Sequence, residues 1–357
     1  MEGYKNSMDF FMGALSPAGG FRGYFPHLDQ QPDLWLYLIK AGPGCGKSTM
    51  MKKLAERAAQ PVERIHCSSD PDSLDGVVFL KSKAAIIDAT APHIIEPNYP
   101  GAKQTVVSLF DTLNETTLKE NRAEIIRLFD RCSELQKSAN RCISSASLLL
   151  REQQMIALSA LDNKKLTGYA ERLAQRLLPA TGKKGIEHLR LLSAVTPKGI
   201  VCYRNSVLAV ADKIIVFEDE QSAAAKKAIG ILRNAALQAG YEIYSCLCPL
   251  SQSETAEHIL IPSLKLAFVT SNRWHPMHFK NQQTVHCARF SDKAALACHK
   301  NRLRLSRQTV EELLRQTSEY QRQAKASHDR LETFYRSAAD FEKVEAITQA
   351  VAKKMGF

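Results

Sequence analysis

The feature that most constrains the fold of this chain is an internal repeat with a period close to 180 residues. The segment ALSPAGGF, which begins at Ala14, matches AVTPKGIV, which begins at Ala194. A second segment, VVFLKSKAAIIDATAPH, ends at His93 and matches ILIPSLKLAFVTSNRWH, which ends at His275. Because the matches occur in the same order at nearly the same offset, they indicate a tandem duplication.

The duplication predicts two domains, 1–180 and 181–357, with the same order of strands and helices. In each copy an apolar strand is followed by a helix, a short strand and a further strand. The predicted ranges are Leu34–Lys40, Lys47–Gln60, Val62–His66 and Lys83–Asp88 in the first copy, and Lys213–Phe217, Ala223–Ala239, Glu242–Cys246 and Lys265–Thr270 in the second. Apolar strands that alternate with helices are typical of a parallel sheet covered on both faces. We therefore expect an α/β fold of two three-layer α/β/α units, each with a parallel sheet.

Each copy ends in a long segment with a helical composition. The segments Thr116–Leu178 and Ser291–Met355 are rich in Leu, Arg, Gln, Glu and Ala and almost free of Gly and Pro. The spacing of Leu305, Val310 and Leu314 is typical of an amphipathic helix that packs on a neighbour. We predict a helical arm on each core with a structural or dimerising role; binding of a partner or a membrane is the alternative.

The first copy contains a glycine-rich loop, AGPGCGKST, between its first predicted strand and helix. The loop fits the Walker A pattern except for alanine in the first position. Its glycines allow the backbone to direct N–H groups at a phosphate, Lys47 would lie between the β- and γ-phosphates, and the Ser48 hydroxyl would bind Mg²⁺. The predicted nucleotide-binding residues are Ala41, Gly42, Pro43, Gly44, Cys45, Gly46, Lys47, Ser48 and Thr49. ATP and Mg²⁺ are therefore the predicted ligands, and each unit is expected to be of the P-loop NTPase type.

Asp88 ends an apolar strand in KAAIIDATAPH, where the crevice of a parallel sheet opens. A P-loop site needs an acid on a neighbouring strand to hold the magnesium, so Asp88 is the predicted Walker B residue. The sequence DAT also permits a capping role for this carboxylate.

Two further segments carry candidate catalytic residues. The stretch HCSSDPDSLDG follows a predicted strand and offers Asp70 and Asp72 to orient a water or an acceptor hydroxyl. The stretch APHIIEP places His93 and Glu96 just beyond Asp88, where they would sense a γ-phosphate. A proline-centred turn is an equally good interpretation of SSDPDS. The residues assigned to catalysis are Lys47, Asp88, Asp70 and His93.

The second copy lacks this chemistry. At the matching position it has EDEQSAAAKK, which has no glycine and contains three acids, Glu218, Asp219 and Glu220. Thr270 stands where the first copy has Asp88. We therefore interpret the second copy as a pseudo-ATPase domain that is closed to a triphosphate. Arg273, in TSNRWH, is either an arginine finger for the first site or an exposed loop residue.

Histidine and cysteine residues also cluster in the sequence of the second copy. The residues concerned are Cys246, Cys248, His275, His278, His286 and Cys287. Their spacing fits no zinc module, and His275 matches His93 in the repeat, which favours an inherited structural position over a metal site.

Composition limits the environment and the partners. The chain has 48 basic and 37 acidic residues, a net charge of +11, which attracts phosphate-bearing partners such as nucleic acid. Its nine cysteines are odd in number and scattered, so they do not suggest a disulfide framework. The N-terminal stretch MEGYKNSMDFFMGALSP lacks the pattern of a secretory signal, and no apolar run is long enough to span a membrane. We expect a cytoplasmic protein.

Taken together, the quoted motifs resemble those of a bacterial family of tandem P-loop ATPase-like proteins. The resemblance covers essentially the whole chain, and the second copy departs from it through its degenerate loop. It implies ATP binding and hydrolysis through Gly44, Gly46, Lys47, Ser48 and Asp88.

Three functions remain open at this point. The first is a Mg²⁺-dependent ATPase whose hydrolysis moves the two halves against each other. The second is a small-molecule or nucleotide kinase, in which the segment 70–72 positions an acceptor hydroxyl. The third is an ATP-gated module that binds nucleic acid, or a protein partner through the helical arms. The absence of an arginine-rich lid segment after the core favours the ATPase over the kinase.

Overall fold

The structure, a computed structural model, describes residues 7–357. The first six residues, which begin the stretch interpreted as lacking a secretory signal, lie outside the described residues. Residues 7–357 form two six-stranded sheets, two two-stranded hairpins and ten α-helices. Within this range no helix combines the length and the apolar character that crossing a membrane requires.

The elements of the two copies correspond one to one along the chain. The strands of the first copy are β1 (Met8–Phe11), β2 (Gly13–Ser16), β3 (Gly20–Gly23), β4 (Trp35–Lys40), β5 (Val62–His66), β6 (Leu74–Phe79), β7 (Ala84–Asp88) and β8 (Gln104–Ser108). The strands of the second copy are β9 (Ile186–Arg190), β10 (Ser193–Thr196), β11 (Gly199–Cys202), β12 (Lys213–Glu218), β13 (Glu242–Leu247), β14 (Ala256–Ile261), β15 (Leu266–Ser271) and β16 (Gln283–His286). The helices of the first copy are α1 (Pro26–Asp29), α2 (Lys47–Arg57), α3 (Glu115–Glu120), α4 (Arg122–Ser159) and α5 (Asn163–Leu177). Those of the second copy are α6 (Arg204–Val210), α7 (Ala223–Gln238), α8 (Lys293–Cys298), α9 (Lys300–Ala338) and α10 (Phe341–Met355).

The two sheets have the same topology. The strand order is β1-β5-β6-β7-β4-β8 in the first sheet and β9-β13-β14-β15-β12-β16 in the second. Each strand of one sheet therefore takes the position of its repeat counterpart in the other. This equivalence makes the two copies directly comparable, position by position.

The sheets are mixed, which corrects the prediction of parallel sheets. β6 runs antiparallel to both of its neighbours, β5 and β7, and β14 does the same between β13 and β15. The connections that flank β6, residues 67–73 and 80–83, are too short for the crossover that a parallel neighbour needs. The sequence prediction had no strand at β6 or β14, so the sheets were expected to be parallel throughout.

The strand that leads into the glycine-rich loop lies inside the first sheet. β4 pairs in parallel with β7 on one side and with β8 on the other. Ile39 is in register with Asp88, and the Ala89 N–H donates to the Ile39 carbonyl at 3.0 Å. The carboxyl ends of β4 and β7 therefore open at the same edge of the sheet, side by side.

The two longest helices, α4 and α9, lie side by side and run in opposite directions. Cys132, in the first part of α4, contacts the carbonyl of Ala324 in the last part of α9 at 3.5 Å. Gln153, near the end of α4, donates to the Ser306 hydroxyl near the start of α9 at 2.8 Å. These two contacts lie towards opposite ends of the pair, so the helices are packed together over most of their length.

The helix that follows each long helix packs on the core of the other copy. α10 packs against α2, and Lys53 of α2 forms a 2.6 Å ion pair with Glu345 of α10. α5 packs against α7, and Lys227 of α7 donates to the Asn163 side chain at 2.6 Å. The predicted long helices are present, but they are exchanged between the copies rather than appended each to its own core.

A buried ion pair connects the two sheets. Glu63 of β5 and Arg190 of β9 are each only 1% exposed, and the Arg190 Nε donates to Glu63 Oε2 at 2.8 Å. The Tyr244 hydroxyl donates to the other carboxylate oxygen of Glu63 at 2.6 Å. Beside this pair, the backbones of Phe11 and Leu191 exchange two hydrogen bonds of 2.8 and 2.9 Å. The two copies thus share one continuous core.

Candidate functional site

The loop between β4 and α2 has the backbone of a phosphate cradle. Gly44 and Gly46 have φ angles of +67° and +86°, which favour glycine. The N–H groups of the first helical residues, Lys47, Ser48 and Thr49, have no acceptor within the part of the chain that the structure describes. Unpaired N–H groups at a helix N-terminus, preceded by a glycine-rich loop, form an arrangement that binds anions.

The Lys47 side chain lies over this loop. Its Nζ donates to the carbonyl of Gly42 at 2.9 Å and to that of Ala41 at 3.3 Å. The same Nζ is 3.4 Å from Asp88 Oδ2, and both side chains are largely buried. The structure therefore brings together the two residues that the sequence assigned to the P-loop and to the neighbouring acid.

Asp88 combines the two roles considered for it. One carboxylate oxygen, Oδ1, accepts hydrogen bonds from the backbone N–H of Thr90 at 2.9 Å and from the Thr90 hydroxyl. The other oxygen, Oδ2, faces Lys47. The turn after β7 thus fixes the carboxyl group while one of its oxygens remains directed into the site.

The remaining loop residues differ in exposure. The Ser48 hydroxyl accepts a hydrogen bond from the N–H of Leu74 at 3.0 Å, which places it at the start of β6. Cys45 is buried beneath the loop, and burial raises the pKa of its thiol, so it is a packing residue. Thr49 is exposed and, with Gly46, lines a crevice between α2 and α10. Pro43 accepts the weak hydrogen bond of the Cys45 thiol.

The other acids predicted for this edge have structural partners. Asp70 accepts from the Ser73 hydroxyl at 2.8 Å, and its carbonyl accepts from the Ser73 N–H at 2.8 Å, as in a capped turn. Asp72 forms a 2.6 Å ion pair with Lys198. Glu96 forms a 2.5 Å ion pair with Lys40. These contacts match the turn interpretation of SSDPDS rather than a set of groups directed at Lys47.

His93 is buried beside the site and pairs with an acid that sequence reasoning missed. Its Nε2 is 3.1 Å from Asp75 Oδ2, and its ring lies between Phe21 and Phe25, with centroids 4.7 and 4.8 Å away. Burial opposes the charged imidazole, but Asp75 and Asp88 more than offset it and raise the pKa of His93. A signal for Asp75 existed, because its repeat counterpart is also an acid, Glu257, and pairs with the counterpart of His93.

The contribution of His93 to stability is expected to fall as the pH rises above about 6.5. A group whose pKa is raised by folding contributes fully below its unfolded pKa, and the contribution is lost as the pH rises through the folded pKa. The free energy of unfolding of wild type, relative to His93→Asn, should therefore be larger at about pH 5.5 than at about pH 8.5. Urea titrations at both pH values measure it.

His275→Asn is the matched control for this titration. Burial lowers the pKa of His275, so its contribution is present above the unfolded pKa and is lost as the pH falls below about 6.5. The two variants should show pH dependences of opposite sign. The same sign in both would contradict the charged His93–Asp75 pair.

The second copy provides a wall of this site through α9. The ring of Tyr335 lies against Gly42, where an added Cβ would be 2.7 Å from ring carbons. The Glu332 carbonyl lies against Gly44 in the same way, at 3.0 Å. Further along the helix, Lys325 is 3.8 Å from Asp70. The loop of the first copy is therefore in contact with a helix whose other end reaches the second core.

Replacing Gly44 with alanine is expected to lower the free energy of unfolding by about 1–2 kcal/mol, the cost of a left-handed residue with a Cβ. The φ of +67° and the 3.0 Å approach to the Glu332 carbonyl both disfavour the methyl group. Urea unfolding measures the change. Gly230→Ala is the control, because that helical glycine faces open space and the substitution should stabilise α7. Equal stability of the two variants would contradict the strained loop.

The equivalent loop of the second copy is shorter and already holds an anion. Four residues, 219–222, connect β12 to α7, against six, 41–46, in the first copy. Asp219 Oδ2 accepts from the N–H of Ala225 at 2.9 Å and Oδ1 from that of Gln221 at 3.3 Å. The Asp219 carboxylate thus occupies the N-terminus of α7, the position at which the first copy offers free N–H groups.

The other two acids of this loop point elsewhere. Glu218 Oε2 lies 2.7 Å from His286 Nδ1, and Glu220 Oε1 lies 3.6 Å from Arg307 Nε. The three acids that are adjacent in the sequence are therefore separated in the fold, with Asp219 inside the loop and Glu218 and Glu220 each beside a basic side chain. Thr270, the counterpart of Asp88, is buried and donates through its hydroxyl to the Glu257 carbonyl at 2.8 Å.

Arg273 does not reach the first site. It is exposed and lies 3.9 Å from Glu311 of α9. Glu311 precedes Glu332, which contacts the glycine-rich loop, by a helical span of about 30 Å. In this structure the arginine-finger interpretation fails, and the loop interpretation of Arg273 applies.

Two of the histidine and cysteine residues flagged in the second copy, Cys248 and His275, line the same cavity, and the other four do not join them there. His278 and His286 are exposed, whereas Cys246 and Cys287 are buried. The structure brings His275 together with two residues that were not predicted, Glu257 and His258, with one ligand-type atom of each within 4.8 Å of the others.

Comparison with known proteins found no relative of this chain. No family model, no curated protein and no solved structure matches this chain. The resemblance to tandem P-loop ATPase-like proteins therefore rests on the sequence motifs and stays a prediction.

Proposed function

We propose that this chain binds Mg²⁺–ATP at residues 41–49 of the first copy and hydrolyses it. The observation that carries the proposal is the contrast between two equivalent helix N-termini in one molecule. The N-terminus of α2 leaves its N–H groups without acceptors, whereas that of α7 is capped by Asp219. A cradle that is filled by a carboxylate in one copy and open in the other is expected of a site that takes an external anion.

The residues present fit a magnesium nucleotide. A hydroxyl at Ser48 and a carboxylate at Asp88 are oxygen ligands of the kind that Mg²⁺ prefers, so these two residues would hold the ion. Bound there, Mg²⁺ would neutralise negative charge on the phosphates. Lys47, already held 2.9 Å from the Gly42 carbonyl, would exchange that contact for phosphate oxygens.

Hydrolysis is favoured over transfer to an acceptor. A kinase would use Asp70 or Asp72 to position the acceptor hydroxyl. In the structure Asp70 caps a turn and faces Lys325, and Asp72 is paired with Lys198. Because both acids serve these contacts, no carboxylate of that segment is left to orient an acceptor.

Measurement of phosphate release separates the three functions. Release of phosphate from ATP with Mg²⁺ alone supports the proposal. ADP formed only with small-molecule acceptors would indicate a kinase. ATP binding without either product, strengthened by nucleic acid, would indicate an ATP-gated binding module. Calorimetry with a non-hydrolysable ATP analogue completes the test, since absence of binding to the wild-type chain would overturn the proposal.

A further inference from the structure

A cavity of about 380 Å³ lies in the second copy, at the place where the first copy has its glycine-rich loop. It is lined by the shortened loop at Glu220–Ser222, by the turn after β13, by β14 and by the segment after β15. Its other walls are the hairpin of β10 and β11, Lys226 of α7, and α4, which comes from the first copy. Gln154 of α4 donates to the Ser222 carbonyl at 3.1 Å. The volume is in the range of small-molecule sites.

The floor of this cavity contains an unsatisfied carboxylate. Glu257 is 2% exposed, and its Oε2 has no hydrogen-bond partner. The nearest basic atom is the Nε2 of His275, at 3.7 Å. Burial disfavours the charged form, but the His275 imidazole and the Lys226 cation more than offset it and lower the pKa of Glu257, so the group is an anion. Because burial lowers the pKa of His275 itself, the counter-charge at neutral pH is Lys226. The side-chain donor beside this carboxylate is the weak Cys248 thiol. A ligand N–H or O–H group that reaches the carboxylate from the cavity would therefore recover free energy that its burial costs.

A metal ion is a poor occupant for this floor. The backbone N–H of Thr270 donates to His258 Nδ1 at 3.2 Å. The neutral imidazole must then carry its proton on Nε2, which leaves no lone pair there for a metal. Nε2 has no hydrogen-bond partner of its own, so His258 adds an unsatisfied donor rather than a ligand atom. The cluster of Glu257, His258 and His275 is therefore poorly suited to a metal ion, and two of its members, Glu257 and His275, line the cavity.

The mouth of the cavity carries a cation without a partner. Arg151 of α4 lines the cavity and is exposed, and it has no hydrogen bond or ion pair within residues 7–357. Lys226 and Glu257 balance each other inside, and Glu220 is paired with Arg307, which leaves one positive charge. A single guanidinium matches a carboxylate, which carries one negative charge, better than a phosphate dianion. Leu150 and Trp274 provide apolar surface along the walls.

We propose that this cavity binds a small organic carboxylate that also carries a hydroxyl or amide donor. The carboxylate pairs with Arg151, and the donor forms a hydrogen bond with the Glu257 carboxylate, which lines the cavity. Triphosphates are excluded because Asp219 fills the anion position at α7. The proposal concerns a second site and does not depend on ATP binding at the first.

The test is calorimetry on the full chain with two sets of probes. Shikimate, L-lactate and L-glutamine carry both groups, whereas propionate, inorganic phosphate and Zn²⁺ do not. At least one of the first three should bind, and Arg151→Gln should weaken that binding by about tenfold or more, as expected for a charge-assisted pair. Arg141→Gln, on the same helix but outside the cavity, is the matched control and should bind as wild type does.

Three outcomes would overturn the proposal. The first is that none of the three donor-bearing carboxylates binds, and the second is that propionate, phosphate or Zn²⁺ binds more strongly than they do. The third is that the Arg151→Gln and Arg141→Gln variants bind the carboxylate with equal affinity. Glu257→Gln reports on the floor of the cavity if it folds. Because Arg151 is exposed, its substitution should leave the fold intact, so the result for Arg151 stands without the Glu257 variant.

Discussion

Replacement of Lys47 with alanine is expected to lower kcat/KM for ATP hydrolysis by about 100-fold or more, the loss typical of one preorganised group that stabilises transition-state charge. Lys47 is the cation held over the cradle, 3.4 Å from Asp88, and no other lysine or arginine forms an ion pair with Asp88 within residues 7–357. Phosphate release at several ATP concentrations measures the change. Circular dichroism establishes that the variant is folded.

The repeat supplies a control at the start of the equivalent helix. Lys227 lies in the first turns of α7, is exposed, and donates to Asn163. Lys227→Ala removes the same charge from the second copy and should leave phosphate release unchanged. Loss of activity in both variants to the same extent would mean that net charge, rather than the cradle, supports the reaction. Retention of activity in Lys47→Ala would refute the assignment of the site.

The geometry of the glycine-rich loop could be predicted because its signals are local. Gly44 and Gly46 adopt positive φ angles, which favour glycine, and the strand and helix on either side read clearly in the sequence. The pairing of Lys47 with Asp88 followed from one further step, since parallel neighbours end at the same edge of a sheet.

Other parts depend on contacts between distant segments. The strand β6 has the sequence LDGVVF, with a central glycine and turns on both sides, and its extended form results from pairing with β5 and β7. Asp75, at its start, was therefore not placed beside His93. The exchange of α5 and α10 between the cores also has no signal in either helix alone, because an amphipathic face does not specify which core it covers.

In the loop of the second copy, residues 219–222, the position of a single side chain also could not be predicted from the sequence. The sequence contains three adjacent acids, and any of them could face the helix N-terminus. Asp219 does so because the loop is two residues shorter, while His286 and Arg307 from remote segments hold Glu218 and Glu220 away. The acids in the sequence predicted that this loop is closed to a triphosphate. Which of the three carboxylates occupies the helix N-terminus could be learned only from the fold.

The exchange also gives the second copy a structural role at the glycine-rich loop of the first. The glycine-rich loop is covered by Tyr335 and Glu332 of α9, and the outer face of α2 is covered by α10. Without the second copy, both surfaces of the first site would be exposed to solvent. The second copy is thus a structural component of the surroundings of the glycine-rich loop.

The stability of this shared core is expected to depend strongly on the ion pair between Glu63 and Arg190. Replacing Arg190 with methionine should lower the free energy of unfolding by about 3–5 kcal/mol, because the substitution leaves a buried carboxylate without its counter-ion. Both residues are 1% exposed, so water cannot replace the lost partner without opening the interface between the sheets. Urea unfolding monitored by circular dichroism and by tryptophan fluorescence measures the loss.

Two controls separate the buried charge from the loss of an interdomain contact. Lys53→Met breaks the ion pair with Glu345, which also joins the two copies but is exposed, and should change stability little. The triple variant Glu63→Met, Arg190→Met, Tyr244→Phe removes the three polar groups together and should recover most of the lost stability, because it leaves no unpaired charge in the core. If the triple variant is as unstable as Arg190→Met alone, the loss arises from packing, and the pair is not what joins the two sheets.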